Sequence, residues 1–489
     1  MQSRRTFLRR GAAGVGGAAL ALGPATTPAS AGRSAGYGPL VDDPGGLLDL
    51  PRGFRYRVVQ SVEDRLSNGA PVPGDFDGMV AVAGPGRGVT LVRNHELRPN
   101  DLGSKAPVPG DNPYDPAAPG GTTALVVGPD RELRESFVSS SGTLNNCAGG
   151  GTPWGTWITC EEDRTTGHGY CFEADSAAPE NDRSKTPIRA MGYFSHEAID
   201  VDPGTGIVYL TEDDFRGAQP DPDQEVPGVT RSSFLYRYLP DNRARRPGAL
   251  QAGGRLDVMC IDEAPLFDMD LGSTGQRFRV VWRTVNPEEP HDDALAKGGA
   301  RFQRLEGCHF AGGAFWFDDT SGGEKRHGQL YRLIPSGDPM GGGVDMLELF
   351  LEGDSREQMD SPDNLYLTPW GDLWLAEDGD DGNRIVGVTA RGETYAFASN
   401  RLNDSEFAGP CFSQDGRTFF VNIQDPGHTF AVWGPFPRQD AGGRRAMAAA
   451  RPRHRWAPKA SAEVREYAQR HGISNYEAAA YDRLGASLA

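Results

Sequence analysis

A chain of 489 residues with a formal charge of −17 repels nucleic acid and anionic membrane surfaces at long range, which argues against a nucleic-acid-binding role. Glycine (65) and proline (37) are abundant, yet they stay below the level of a disordered chain, and a hydrophobic fraction of 37% is enough for a packed core. An anionic substrate would need local arginines or metal ions, and short clusters of acids suit a hard cation such as calcium.

The amino terminus reads Ser3-Arg4-Arg5-Thr6-Phe7-Leu8-Arg9, then a mildly apolar stretch from Gly11 to Gly23, then Ala29-Ser30-Ala31. This pattern predicts a twin-arginine export signal over residues 1–31, cleaved after Ala31. The apolar stretch is too short for a spanning helix, which needs ~20 residues. The chain is therefore expected to pass the twin-arginine translocation machinery and to work in the periplasm, at the cell surface or outside the cell, without stable membrane insertion. That route carries folded proteins, so metal loading before export is expected.

Residues 32–50 read as a flexible leading segment and 51–435 as the body of the protein. The tail, 436–489, contains a basic run from Arg451 to Arg455 and helical spacing from Ser461 to Leu488. Six cysteines (Cys147, Cys160, Cys171, Cys260, Cys308, Cys411) leave fifteen possible disulfide pairings open. No C-x-x-C spacing occurs, which excludes a zinc ribbon.

From Phe54 onward one pattern returns six times: a glycine turn, an alternating apolar run, then polar or acidic residues. It occupies 86–96, 154–162, 204–214, 312–319, 370–378 and 415–424. Such repetition predicts an all-β fold, a six-bladed β-propeller with long inserted loops (101–120, 164–190, 215–232, 283–300) and a short helical tail. Equivalent propeller strands end on one face, so Glu96, Glu161 or Glu162, Glu212, Asp318 and Glu377 are expected in one ring.

The stretch 146–163, NCAGGGTPWGTWITCEED, concentrates the chemistry: a thiol at Cys147, a glycine run, a short strand, then Glu161, Glu162 and Asp163. Thiolate is a soft donor that selects transition metals, whereas clustered carboxylates suit calcium, so a mixed site is implied. The alternatives are plain. Cys147 could be an inert buried residue, Arg304 could simply pair with Glu306 two residues on, and His95, His196 and His309 could orient strands or ligands without binding metal.

This stretch resembles the signature of the PhoX-type alkaline phosphatases. Matching segments are Arg93-Asn94-His95-Glu96, Leu210-Thr211-Glu212-Asp213-Asp214, Arg304-Leu305-Glu306-Gly307, Ser361-Pro362-Asp363-Asn364-Leu365 and Ala376-Glu377-Asp378-Gly379. The resemblance implies an exported six-bladed propeller that hydrolyses phosphomonoesters at iron and calcium ions joined by a bridging oxygen. It places Cys147 and Glu162 on Fe3+, shares Glu212 and Glu306 among the metals, and gives Glu377 and Asp378 to Ca2+. Glu96, Glu161 and Asn364 join the metal set, and Arg304 with Glu306 serves catalysis, Arg304 gripping the phosphate. Small phosphoesters are the implied substrates, and a monomer is expected. Leu305 replaces an expected proline, and the chain is shorter than typical members, which puts a substrate-covering loop in question. The competing readings are a calcium-dependent lactonase-type propeller and a non-catalytic calcium-binding propeller.

Overall fold

The computed structural model describes residues 35–214, 232–336, 343–380 and 382–437. The export signal, most of the expected 215–232 loop and the expected tail helix lie outside the described residues. Within them the fold is all-β and propeller-like, because short apolar runs cut by Gly, Pro, Asn and Asp form antiparallel strands joined by turns. The single α-helix among the described residues, Pro290–Ala296, and the Cys171–Asp175 strand both arise inside expected loops.

Five sheets carry the chain. One is the four-stranded meander from Phe76–Ala83 to Leu133–Thr143, and the next has three strands, Gly149–Gly151, Thr156–Cys160 and Cys171–Asp175. A nine-stranded sheet contains two four-stranded meanders, beginning at His196–Val201 and Leu305–Ala311, bridged at their outer strands by Arg277–Thr284. The meander from Pro362–Leu367 to Thr394–Asn400 gains Leu48–Pro51 and Leu40–Val41 as extra edge strands. The expected flexible leading segment is thus partly a strand, because Leu48 and Leu50 bury their side chains in the aromatic core around Trp374, Phe397 and Phe412. The last sheet, starting at Phe407–Phe412, is completed by the early strand Arg55–Ser61 against His428–Trp433, which ties the two ends of the body together.

The first strand of each meander touches the first strand of the next. Gly78 N donates to Cys147 O at 2.9 Å, and a Cβ on Gly150 would lie 1.9 Å from Ile199 O. Phe310 N donates to Asp200 Oδ2 at 2.6 Å, and a Cβ on Gly307 would meet Asp363 O at 2.5 Å. Gly409 N donates to Asn364 Oδ1 at 2.7 Å, and a Cβ on Gly409 would meet Met79 at 2.7 Å, which returns to the first sheet. Glycine is needed here because backbones approach too closely for any side chain.

Candidate active site

Each of these inner strands begins with a side chain that could bind a cation. Asp77, Glu197, Glu306 and Asp363 are the second residues of their strands, Cys147 stands two residues ahead of Gly149, and Glu406 stands one ahead of Phe407. All six line one cavity of about 780 Å³. Strand pairing slips between Phe76 and Met79, His196 and Ile199, Leu305 and Cys308, and Pro362 and Asn364, so four of the six acidic or thiol groups sit in register irregularities. A bulge of this kind ends pairing and re-aims a side chain.

Among the described residues the donor atoms fall into four trios, each within 4.8 Å: Cys147, Glu162 and Glu197; Glu197, Glu306 and Asp363; Asp77, Glu96 and Glu406; and, to one side, Glu212, Asp214 and His291. Glu197 belongs to two of them. The first trio couples one soft sulfur to carboxylates and the third is all oxygen, so the set offers both kinds of donor a mixed metal centre requires. Eleven carboxylates face this cavity against Arg98, Arg164 and Arg304. Burial, reinforced by mutual repulsion, pushes Asp77, Glu162, Glu197, Glu306, Asp363 and Glu406 well above the usual carboxylate range, and raises the Cys147 thiol likewise. Cations are what would let such a cluster ionise together.

Supporting contacts fix the geometry. Cys147 Sγ donates to the carbonyls of His196 and Glu197 at 3.4 and 3.5 Å. Asn145 Nδ2 donates to Glu162 Oε2 at 2.9 Å, and Gln424 Nε2 donates to Glu96 Oε2 at 2.7 Å. Asn94 Nδ2 donates to the carbonyls of Cys147 and Ala148, and its Oδ1 accepts from Trp157 Nε1, so one buried amide joins two sheets below the thiol. Arg304 grips Asp213 through Nε and Nη2, the latter at 2.6 Å, and reaches Glu306 Oε1 at 2.8 Å.

Of the residues expected from sequence, Cys147, Glu96, Glu162, Glu306, Asp378 and Arg304 meet in the cavity. Glu161, Glu212, Glu377 and Asn364 do not line it. Glu161 accepts from Leu144 N, Gly169 N, Tyr170 N and His168 Nδ1. Glu212 is fully buried and binds His291 Nδ1 at 2.8 Å and the Tyr236 hydroxyl at 3.1 Å. Glu377 pairs with Arg384 and accepts from Asp360 N, and burial raises it to about 7. Asn364 lies on a separate cavity of about 270 Å³. The expected ring member Asp318 is buried with neither carboxylate oxygen hydrogen-bonded. For Glu161 and Glu377 the physical reason is strand alternation, since the next residues, Glu162 and Asp378, line the cavity in their place; Glu212 instead stands within 4.8 Å of His291 and of Asp214, and Asp214 lines the cavity.

Asp77, Glu197, Asp363 and Glu406 were not singled out from sequence. Their signal was an acid beside a small or strand-breaking residue at the start of a run, as in Phe76-Asp77-Gly78, His196-Glu197-Ala198 and Pro362-Asp363-Asn364.

The profile of the family described as alkaline phosphatase PhoX matches residues 35–427. Among solved structures the chain is similar to Pseudomonas fluorescens PhoX in complex with vanadate, a transition state analogue, with TM-score 0.60 and 17% identity over 80% of this chain and 96% of that one. A gluconolactonase from Xanthomonas campestris is similar at TM-score 0.37 and 12% identity, over 78% of this chain and 100% of that one. No curated protein matches by sequence. With residues 35–427 of its 489 spanned by one family profile, this chain belongs to the PhoX family of alkaline phosphatases.

Proposed function

We propose that the chain hydrolyses small phosphomonoesters, after twin-arginine export, at a polynuclear centre of iron and calcium in the mouth of a six-bladed propeller. The observation that carries this reading is the sharing of Glu197 between the Cys147 trio and the Glu306 trio, which makes one continuous centre out of two binding groups. The six-blade count rests on the closed cycle of inner-strand contacts, with the nine-stranded sheet counted as two blades joined at the rim.

The residues fit the metals by donor type. Cys147 with Glu162 and Glu197 suits iron, and Asp77 with Glu96 and Glu406 suits calcium. When bound, such ions supply Lewis acidity toward the phosphoryl oxygens and activate the attacking water. The chain's own part is positioning. A phosphomonoester near neutral pH is doubly negative and cannot enter a cavity of eleven carboxylates unless their charge is neutralised. Arg304, oriented by Asp213 and Glu306, binds the phosphate through its guanidinium and stabilises charge on the equatorial oxygens. Glu197, Glu306 and Asp363 hold the middle of the centre, at the bulged starts of three inner strands.

Among the described residues no helix is long and apolar enough to cross a bilayer. The reading is tested by turnover of p-nitrophenyl phosphate before and after exhaustive chelation, with calcium and iron restored separately. Loss on chelation and recovery only with both metals supports it, whereas full activity in the stripped protein contradicts it.

A further inference from the structure

Cys160 and Cys171 take no part in the metal-binding groups. They stand directly opposite one another on Thr156–Cys160 and Cys171–Asp175, fully buried, with their sulfurs 3.7 Å apart. In the neighbouring pair Glu161 N donates to Tyr170 O, so the cysteines occupy a non-hydrogen-bonded position, where opposed Cα atoms stand about 4.5 Å apart. That spacing lies within the span a disulfide bridges, and side-chain rotation alone closes the sulfurs to about 2.05 Å. Cys147, by contrast, is committed to the carbonyls of His196 and Glu197, and Cys260 to the carbonyl of Lys297.

We propose that Cys160 and Cys171 form a disulfide in the mature protein, a redox staple set directly behind the metal-binding cavity. The chemistry is thiol–disulfide exchange with a low-molecular-weight disulfide such as oxidised glutathione. One cysteine sulfur attacks the oxidant and releases its first thiol. The second cysteine sulfur then attacks the mixed disulfide and releases the second thiol. Two protein S–H bonds and the oxidant's S–S bond are lost, while one protein S–S bond and two small-molecule S–H bonds form. Cys171–Asp175 is the outer strand of a three-stranded sheet, so opening that one strand admits the oxidant.

The location gives the staple a consequence. Cys160 is followed at once by Glu161, which holds Leu144 N three residues ahead of Cys147, and by Glu162 of the cavity. Oxidation therefore clamps the strand that presents one metal-binding carboxylate and braces the thiol segment.

The test treats the purified protein with oxidised glutathione, unfolds it, alkylates free thiols and maps the peptides by mass. The expected result is that two of the six cysteines escape alkylation, in a peptide joining Cys160 to Cys171, and that dithiothreitol restores all of them. The oxidised form should also melt a few degrees above the reduced one, a difference absent from the Cys160→Ala/Cys171→Ala double variant. Full alkylation after oxidation, glutathione retained on either cysteine, or a cross-link mapped to another pair overturns the proposal, and the wild-type map decides this even if the variant does not fold.

Discussion

Two sets of side chains stand at the same end of the same sheets, yet they do different work. The starts of the inner strands present Asp77, Cys147, Glu197, Glu306, Asp363 and Glu406 to the cavity. The ends of the second strands carry His95, Glu161, Asp319 and Glu377, which turn back and hold the chain as it approaches the first set. His95 Nδ1 donates to Gly74 O at 2.7 Å, Leu144 N donates to Glu161 at 2.9 Å, Gln303 N to Asp319 at 2.9 Å, and Asp360 N to Glu377 at 2.9 Å. In every case the held residue lies three positions before a residue that lines the cavity: Asp77, Cys147, Glu306 or Asp363. One set faces the cavity and the other braces the chain that leads into it.

Substitutions separate the two sets. Cys147→Ser and Glu197→Gln should reduce turnover by about a thousandfold or more, since each removes a donor from the centre while leaving an isosteric side chain; steady-state kinetics on metal-reconstituted protein measures this. Arg304→Lys should cost roughly a hundredfold in kcat/KM, because an ammonium cannot copy a guanidinium fork already seated on Asp213. Bracing residues should act through stability instead: Glu377→Gln is expected to lower unfolding free energy by about 1–3 kcal/mol, from the broken Arg384 pair and the weakened bond to Asp360 N, with residual turnover per folded molecule near wild type. If Glu377→Gln abolished metal binding while staying fully stable, the division between the sets would fail.

The metal-free protein makes a further contrast. Asp77, Glu197, Glu306 and Asp363 titrate above their unfolded values, so the native state holds more protons than the unfolded one once pH rises past the ordinary carboxylate range, about 4. Stability contributed by the protonated cluster is complete below that range and is lost as pH climbs through the raised values. Denaturant melts of the stripped protein should therefore weaken from pH 5 toward pH 8, and added calcium should flatten the decline; a stability that rose with pH would contradict the raised carboxyls.

Much of this was readable before any coordinates. The repeated turn-strand-acid pattern located the end of the sheets where the cavity lies, and Cys147, Glu162, Glu306 and Arg304 of its lining were named from their motifs. The pattern marked the second strand, however, and register pairs Glu212 with His196 and Glu377 with Pro362, each opposite the residue just before an acid of the cavity, Glu197 or Asp363. The donors that the pattern missed thus lie one strand inward, about 4.8 Å away, whereas Glu96 and Glu162 follow the second strands themselves. Glu197 and Asp363 were hidden because a bulge, which sequence periodicity does not report, decides that they face the cavity. Glu406 comes just before its strand begins, and only ring closure brings it beside Asp77 and Glu96.

Glu197 is where the account is most exposed, since it joins the thiol group to the carboxylate group. The decisive measurement is metal content per chain, by elemental analysis, in the wild-type protein and in Glu197→Gln. The account predicts iron together with calcium in the wild type, and loss of iron and part of the calcium in the variant along with phosphatase activity. Unchanged iron and calcium in an active Glu197→Gln protein would contradict a single shared centre.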